Sequence, residues 1–228
     1  MFQPLPESNR RDKRMSSLIL YTNPMSRGQI ARWMLEETGA AYEQRIVEYG
    51  APMKGPEYLA VNPMGKVPAI VHDGKVVTEC AAICAYLAEA FPDAGLAPLP
   101  HERADYFRWM FFGAGPLEQA IINRSMGWEE PADKQAMLGY GTYDLAVDTL
   151  AGWLEEHAFV CGDRFSAADV YVGAQVDWGQ AFGTLPARPA FTAYAERVRA
   201  RPAYARAKAI DNALIAAVKA EPAQGEPA

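Results

Sequence analysis

The chain has 228 residues, half of them hydrophobic, and a formal net charge of −6 at pH 7. That length and apolar content suit one large domain or two small ones with a sizeable core. The acidic balance argues against nucleic acid as the main partner and against a polybasic membrane anchor. No apolar run reaches the roughly 20 residues of a membrane span. Residues 1–17 are polar and lack the apolar stretch of a signal peptide, so a cytoplasmic location is expected. Cys80, Cys84 and Cys161 make no disulfide framework, and no histidine pair accompanies Cys80 and Cys84, so no metal site is expected.

In chain order, residues 1–16 read as a tail, and 18–21 (LILY) as a short buried strand. Turn chemistry follows at 23–26 (NPMS). Ile30, Trp33, Met34 and Glu37 then keep a helical period, with Gly39 where a C-terminal cap belongs. A second strand is expected over 42–48, a Gly- and Pro-rich stretch with a short helix over 50–66, and a third strand over 67–72. Asp73 and Gly74 both tolerate positive φ and predict a two-residue hairpin into a fourth strand at 75–78. A helix over 80–91 is stopped by Pro92. This order predicts a small α/β sheet of thioredoxin type over 17–92, its first two strands parallel and its last two an antiparallel hairpin.

Residues 93–100 read as a linker, and 101–219 as entirely helical. One helix is expected over 101–123, disturbed at 113–116 (GAGP), and another from Pro131 to His157. In 165–170 (FSAADV), Ser166 and Asp169 have the spacing of a capping box. Further helices are expected over 166–181, 189–200 and 202–218, then a tail over 220–228. The late basic cluster of Arg197, Arg199, Arg201, Arg206 and Lys208 reads as a solvated helix face.

Two residues of 62–80 (NPMGKVPAIVHDGKVVTEC) call for explanation. Pro68 cannot donate a ladder hydrogen bond. A cis Val67–Pro68 bond would leave the backbone polar groups of Val67 open to an extended peptide; an ordinary trans proline in an edge strand is the plainer alternative. Glu79 precedes a helix whose first N–H groups suit a carboxylate, while its own carboxylate can pair with an ammonium. A free amino-acid end carries both groups, so the pair points to a short peptide-like ligand. The plainer alternative for Glu79 is a partner of the helix dipole.

This segment, preceded by 54–61 (KGPEYLAV) and followed by a helix, resembles the glutathione-binding segment of the cytosolic glutathione S-transferases, bacterial and serine-type. The similarity extends through the linker, the helical half and FSAADV. It implies a thioredoxin-like domain with a C-terminal helical domain, a transferase activity, glutathione as co-substrate and a homodimer. It also implies that Val67 pairs with the cysteinyl backbone of glutathione, that Pro68 is cis, that Glu79 and Cys80 hold the γ-glutamyl end, and that Lys54 and Lys66 reach the glycyl carboxylate. Cys80 departs from the family's usual Ser or Thr, and a thiol is the weaker hydrogen-bond partner.

The thiol of glutathione must be held as a thiolate, from an ordinary pKa of roughly 8.5. A hydroxyl and a helix N-terminus can do this. Ser26 leads by position, Tyr21 is second, and Thr22, Asn23 or a backbone amide stay open. The second substrate is expected to be a small apolar electrophile. Tyr106, Trp109 and Met110, within a cluster that includes Phe111, Phe112, Trp178 and Phe182, are the candidates for its pocket.

Overall fold

The computed structural model describes residues 17–220. The expected tails at 1–16 and 221–228 lie outside the described residues, and Ala220 closes the last helix. The first half runs β1 (Leu18–Thr22), α1 (Gly28–Thr38), β2 (Glu43–Ile46), α2 (Ala51–Lys54), α3 (Pro56–Leu59), β3 (Ala69–His72), β4 (Lys75–Val77) and α4 (Cys80–Ala90). The sheet order is β2-β1-β3-β4. β1 and β2 are parallel, and both other pairings are antiparallel. Asp73 (φ 49°) and Gly74 (φ 77°) make the hairpin, the conformation that favours this residue pair. Gly39 closes α1 at φ 67°, its N–H donating to the Leu35 carbonyl.

Alternation along β1 separates two packing environments. Leu18 and Leu20 join the main core with Ile30, Met34, Ile83 and Leu87. On the other face Tyr21 and Val67 pack against the small cluster of Val47, Met53 and Tyr58. Successive strand residues face opposite ways, so Tyr21 and Thr22 cannot serve one site with both side chains.

The second half contains α5 (Arg103–Phe112), a π-helical turn (Gly113–Leu117), α6 (Glu118–Ser125), α7 (Tyr143–Glu156), α8 (Ala167–Ala181), α9 (Pro189–Arg199) and α10 (Pro202–Ala220). Pro116 falls inside the π turn, where the lost donor is absorbed by the wider ladder. The helix expected from Pro131 begins only at Tyr143. Gly141 takes φ 66°, and the Thr142 side chain accepts from the Leu145 N–H, so the cap lies there. At α8 the capping box is formed, with the Asp169 carboxylate accepting from the Ser166 N–H at 2.9 Å.

Both halves share one hydrophobic core, in which Ile83 and Leu87 continue into Trp109, Val172 and Phe191. The late basic residues are partly exposed, as expected of a solvated face, but they are also paired. Arg201 pairs with Glu37, Arg206 with Glu36 and Arg199 with Asp177, while Lys208 donates to Gln29. Most of these bonds tie α10 and its approach to α1, which their sequence separation conceals.

Candidate functional site

The β1–α1 loop is organised by buried Asn23. Its Nδ2 donates to the Val47 carbonyl at 3.1 Å, and its Oδ1 accepts from the Met25 N–H at 3.0 Å. Ser26 follows at the start of α1. Its hydroxyl accepts from the Gly28 N–H at 2.9 Å and donates to the Asn23 carbonyl at 2.7 Å. Ser26 Oγ is therefore held at the helix N-terminus and keeps one acceptor site in reserve. Thr22 is sealed: its hydroxyl is buried without a protein hydrogen bond. A Cβ on Gly28 would lie 1.9 Å from Thr22 Oγ1, so only glycine lets the helix start this close to the strand. Tyr21 lies on the opposite sheet face, where its hydroxyl accepts from Arg45 Nη1 at 3.0 Å. It lines neither cavity described below.

The loop before β3 contains the cis Val67–Pro68 bond. Its approach is clamped by two groups that sequence reasoning missed. Tyr58 Oη and Asn62 Nδ2 both donate to the Lys66 carbonyl, at 2.6 and 2.8 Å. Burial pushes the Tyr58 phenol up to about 12, against a smaller opposing effect of Asn62, so Tyr58 remains a donor at neutral pH. Lys54 Nζ donates to the carbonyls of Met64 (3.0 Å) and Gly65 (2.8 Å). Its ammonium fastens this loop and is not pointed freely at a ligand. Lys66 remains exposed.

Glu79 stands at the N-cap of α4 with φ 63° and ψ 114°, and its exposed side chain makes no cap bond. A non-glycine residue in that region is strained by about 1–3 kcal/mol, an arrangement concentrated at ligand sites. Cys80 Sγ donates to the Arg27 carbonyl at 3.6 Å, joining the starts of α1 and α4. Buried Cys84 has its thiol pushed up, first by the hydrogen bond with Cys80 and then by burial, so it is no thiolate.

These elements enclose two adjoining cavities. One, of about 380 Å³, is lined by Ser26, Arg27, Lys54, Lys66 and Val67, with an apolar wall from Met25, Tyr49, Met53 and Trp178. The other, of about 330 Å³, contains Val67, Pro68, Glu79 and Cys80, and reaches Glu118 and Tyr171 of the helical half. Arg27, Lys66 and Val67 border both. Arg27 Nη2 lies 2.7 Å from Glu118 Oε1, and Tyr171 Oη donates to Glu118 Oε2 at 2.8 Å. Tyr106, Trp109 and Met110 line neither cavity. They are core residues, Trp109 packed on Trp153 with ring centroids 5.3 Å apart. The expected aromatic pocket on α5 is thus corrected: the inward stripe of that helix fills the core, and Phe107 and Phe111 face outward. Among the described residues no group of three or more His, Cys, Asp or Glu could hold a metal ion.

Residues 16–89 match the family described as glutathione S-transferase, N-terminal domain, and residues 120–202 match glutathione S-transferase, C-terminal domain. The chain belongs to the glutathione S-transferase family. A glutathione S-transferase of Xanthomonas campestris pv. campestris is 29% identical over 199 residues, covering 79% of this chain and 92% of the relative. A maleylacetoacetate isomerase of Pseudomonas aeruginosa is 32% identical over 174 residues, covering 71% and 80%. Among solved structures, a sphingomonad glutathione S-transferase complexed with glutathione superimposes with a TM-score of 0.68 at 28% identity, covering 85% of this chain and 98% of that one. As a glutathione S-transferase family member, the chain combines a thioredoxin-like domain with a helical domain, and both cavities lie along the thioredoxin-like half. Among the described residues no helix is long and apolar enough to cross a membrane.

Proposed function

We propose that this chain is a glutathione transferase that joins the thiolate of glutathione to a small electrophile. One observation carries the reading: Ser26, the Lys66–Val67 backbone and the Glu79–Cys80 helix start line two cavities that meet at Arg27 and Lys66. In this reading the γ-glutamyl end lies at Glu79 and the α4 N-terminus, where a carboxylate meets unpaired N–H groups and an ammonium meets Glu79. The Val67 backbone pairs with the cysteinyl unit, and Lys66 attracts the glycyl carboxylate. Lys54 supports that end by holding the Met64 and Gly65 carbonyls.

The thiol then lies at the start of α1. Ser26 Oγ can turn its proton from the Asn23 carbonyl to the sulfur, keeping the Gly28 N–H as donor to its oxygen. That bond and the helix dipole favour the thiolate. Every pKa unit lowered takes about 1.4 kcal/mol. The electrophile enters along Met25, Tyr49, Met53 and Trp178, the apolar side of the larger cavity. The proposal includes a cytoplasmic homodimer with domains over 17–92 and 101–219.

The 32% identity to a maleylacetoacetate isomerase favours a second reading, in which glutathione adds and leaves again. Turnover of a panel of electrophiles with glutathione, following loss of free thiol and product together, separates the two. Conjugation consumes one thiol per product, and isomerisation consumes none. Absence of both activities across aromatic halides, enones and epoxides, with no glutathione seen in a soaked crystal, overturns the proposal.

A further inference from the structure

Asn23, Pro24, Met25 and Ser26 form a β-turn, closed by the Ser26 N–H on the Asn23 carbonyl at 3.0 Å. The peptide between the two central residues of such a turn can swing as a unit, because only the dihedrals on either side of it need change. Here both polar groups of that peptide are held. The Met25 N–H donates to Asn23 Oδ1, and the Pro24 carbonyl accepts from Gln29 Nε2. Gln29 lies in the first turn of α1, and its amide is held in turn by the far end of the chain: Lys208 Nζ of α10 donates to Gln29 Oε1 at 2.8 Å. An ammonium only donates and a carbonyl only accepts, so these two neighbours together admit one orientation of the Gln29 amide. Lys208 is itself placed by Trp178 and Tyr204, its Nζ 5.8 Å from each ring centroid. Neither Gln29 nor Lys208 borders the two cavities described above.

We propose that Gln29 and Lys208 are positioning residues for the thiol-activating hydroxyl, fixing from outside the site the turn that carries Ser26. The inference rests on the Ser26 reading above and deepens it. The Ser26 proton moves from the Asn23 carbonyl to the sulfur, and both the oxygen it leaves and the oxygen that carries it belong to this turn. Asn23 fixes one side of the central peptide from within the loop. Gln29 fixes the other side, and Lys208 keeps the Gln29 amide from turning its oxygen toward the Pro24 carbonyl. The last helix of the chain thus bears on the thiolate without touching glutathione.

The test is the pH titration of the thiolate absorbance of glutathione bound to the full chain, with S-methylglutathione, which has no thiol proton, as the control ligand. Gln29→Glu keeps an acceptor for Lys208 and removes the donor to Pro24. It should raise the pKa of the bound thiol by about one unit, a tenfold loss of thiolate, and leave the affinity for S-methylglutathione within about twofold. Lys208→Met keeps an apolar stem against the two rings and removes the ammonium. It should shift the titration the same way by about half as much. In a Ser26→Ala background both shifts should vanish, since the two residues act through Ser26. An unshifted titration in either single variant overturns the inference. So does a shift that persists undiminished without Ser26, as the added charge of Gln29→Glu alone would produce, or a matching loss of S-methylglutathione binding, which marks general damage to the site. If Gln29→Glu does not fold, Lys208→Met carries the same cycle alone. If Ser26→Ala leaves the titration of the wild type in place, the Ser26 reading fails and the inference with it; an effect of Ser26→Ala without one of Gln29→Glu or Lys208→Met sinks the inference alone.

Discussion

Arg32 Nε donates to Asp211 Oδ1 at 2.9 Å, and both side chains are 1% exposed. The pair joins α1, which begins beside Ser26, to α10 at the far end of the chain. Burial pushes the Asp211 carboxyl up while the Arg32 guanidinium pulls it back down. Arg32 Nη1 also donates to Tyr42 Oη, yet Arg32 Nη2 and Asp211 Oδ2 have no protein hydrogen bond. A buried pair with such incomplete satisfaction adds little net stability, but each half is costly without the other.

Asp211→Asn should therefore destabilise the protein by about 3–5 kcal/mol, leaving a buried guanidinium uncompensated. The double variant Arg32→Met, Asp211→Leu should cost clearly less than the single one. Urea unfolding of the three proteins measures this. A double variant as unstable as Asp211→Asn would show that the pair itself, and not the orphaned charge, carries the energy.

In the proposed function Glu79 trades stability for binding. Its φ of 63° is relieved by glycine, which adopts that region freely. Glu79→Gly should raise the unfolding free energy by about 1 kcal/mol, the strain released less the entropy of glycine. The same variant should weaken glutathione by on the order of 2–3 kcal/mol through loss of a charge-assisted bond. Denaturant unfolding and calorimetry on one preparation give both numbers, and a variant that is less stable and binds normally contradicts both parts.

Ser26→Ala should slow glutathione turnover by roughly ten- to a thousandfold, as for loss of one positioned donor. It should also raise the pKa of the bound thiol, read from thiolate absorbance against pH. Tyr21→Phe should leave that titration in place, because the Tyr21 hydroxyl lies with Arg45 across the sheet. A shift in Tyr21→Phe without one in Ser26→Ala reverses the assignment.

Asp169 gives a pH signature to the helical half. Its carboxylate is buried and accepts from the N–H groups of Val160 and Ser166 and from Tyr194 Oη. Burial outweighs those donors and raises its pKa from 3.8 to about 6. Between these values the folded protein holds a proton that the unfolded chain has released. The associated stability is full below about pH 4 and is lost as pH rises through about 6, with a two-unit shift worth about 3 kcal/mol. Asp169→Asn should be less stable overall and lack this component of the pH dependence. Thermal unfolding of both proteins from pH 4 to 7 checks it; parallel curves would remove Asp169 as the source.

Features set by near neighbours were legible from the sequence alone. The order of the four strands with a helix after the first and after the last, the Asp73–Gly74 hairpin, the Gly39 cap and the Ser166–Asp169 capping box each depend on backbone preferences and on contacts within a few residues; the single short helix expected between the second and third strands is two, α2 and α3. The position of the α7 start was missed because Pro131 is a good first helical residue only if the chain continues helical, and the glycines before Thr142 end that run. Which face a residue presents, and to what, was decided by the tertiary structure. Trp109 and Met110 have the composition of a binding pocket, but α8 and Trp153 pack over their stripe. Lys54 has the charge of a ligand anchor, but two carbonyls ten and eleven residues away take its ammonium. Arg201 meets Glu37 across 164 residues, and Glu118 of α6 pairs with Arg27, just before α1, across the boundary between the two halves. Dihedral preference and hydrophobic period act over one or two turns of chain, whereas a side chain's charge partner is fixed by which distant segments the core brings into contact.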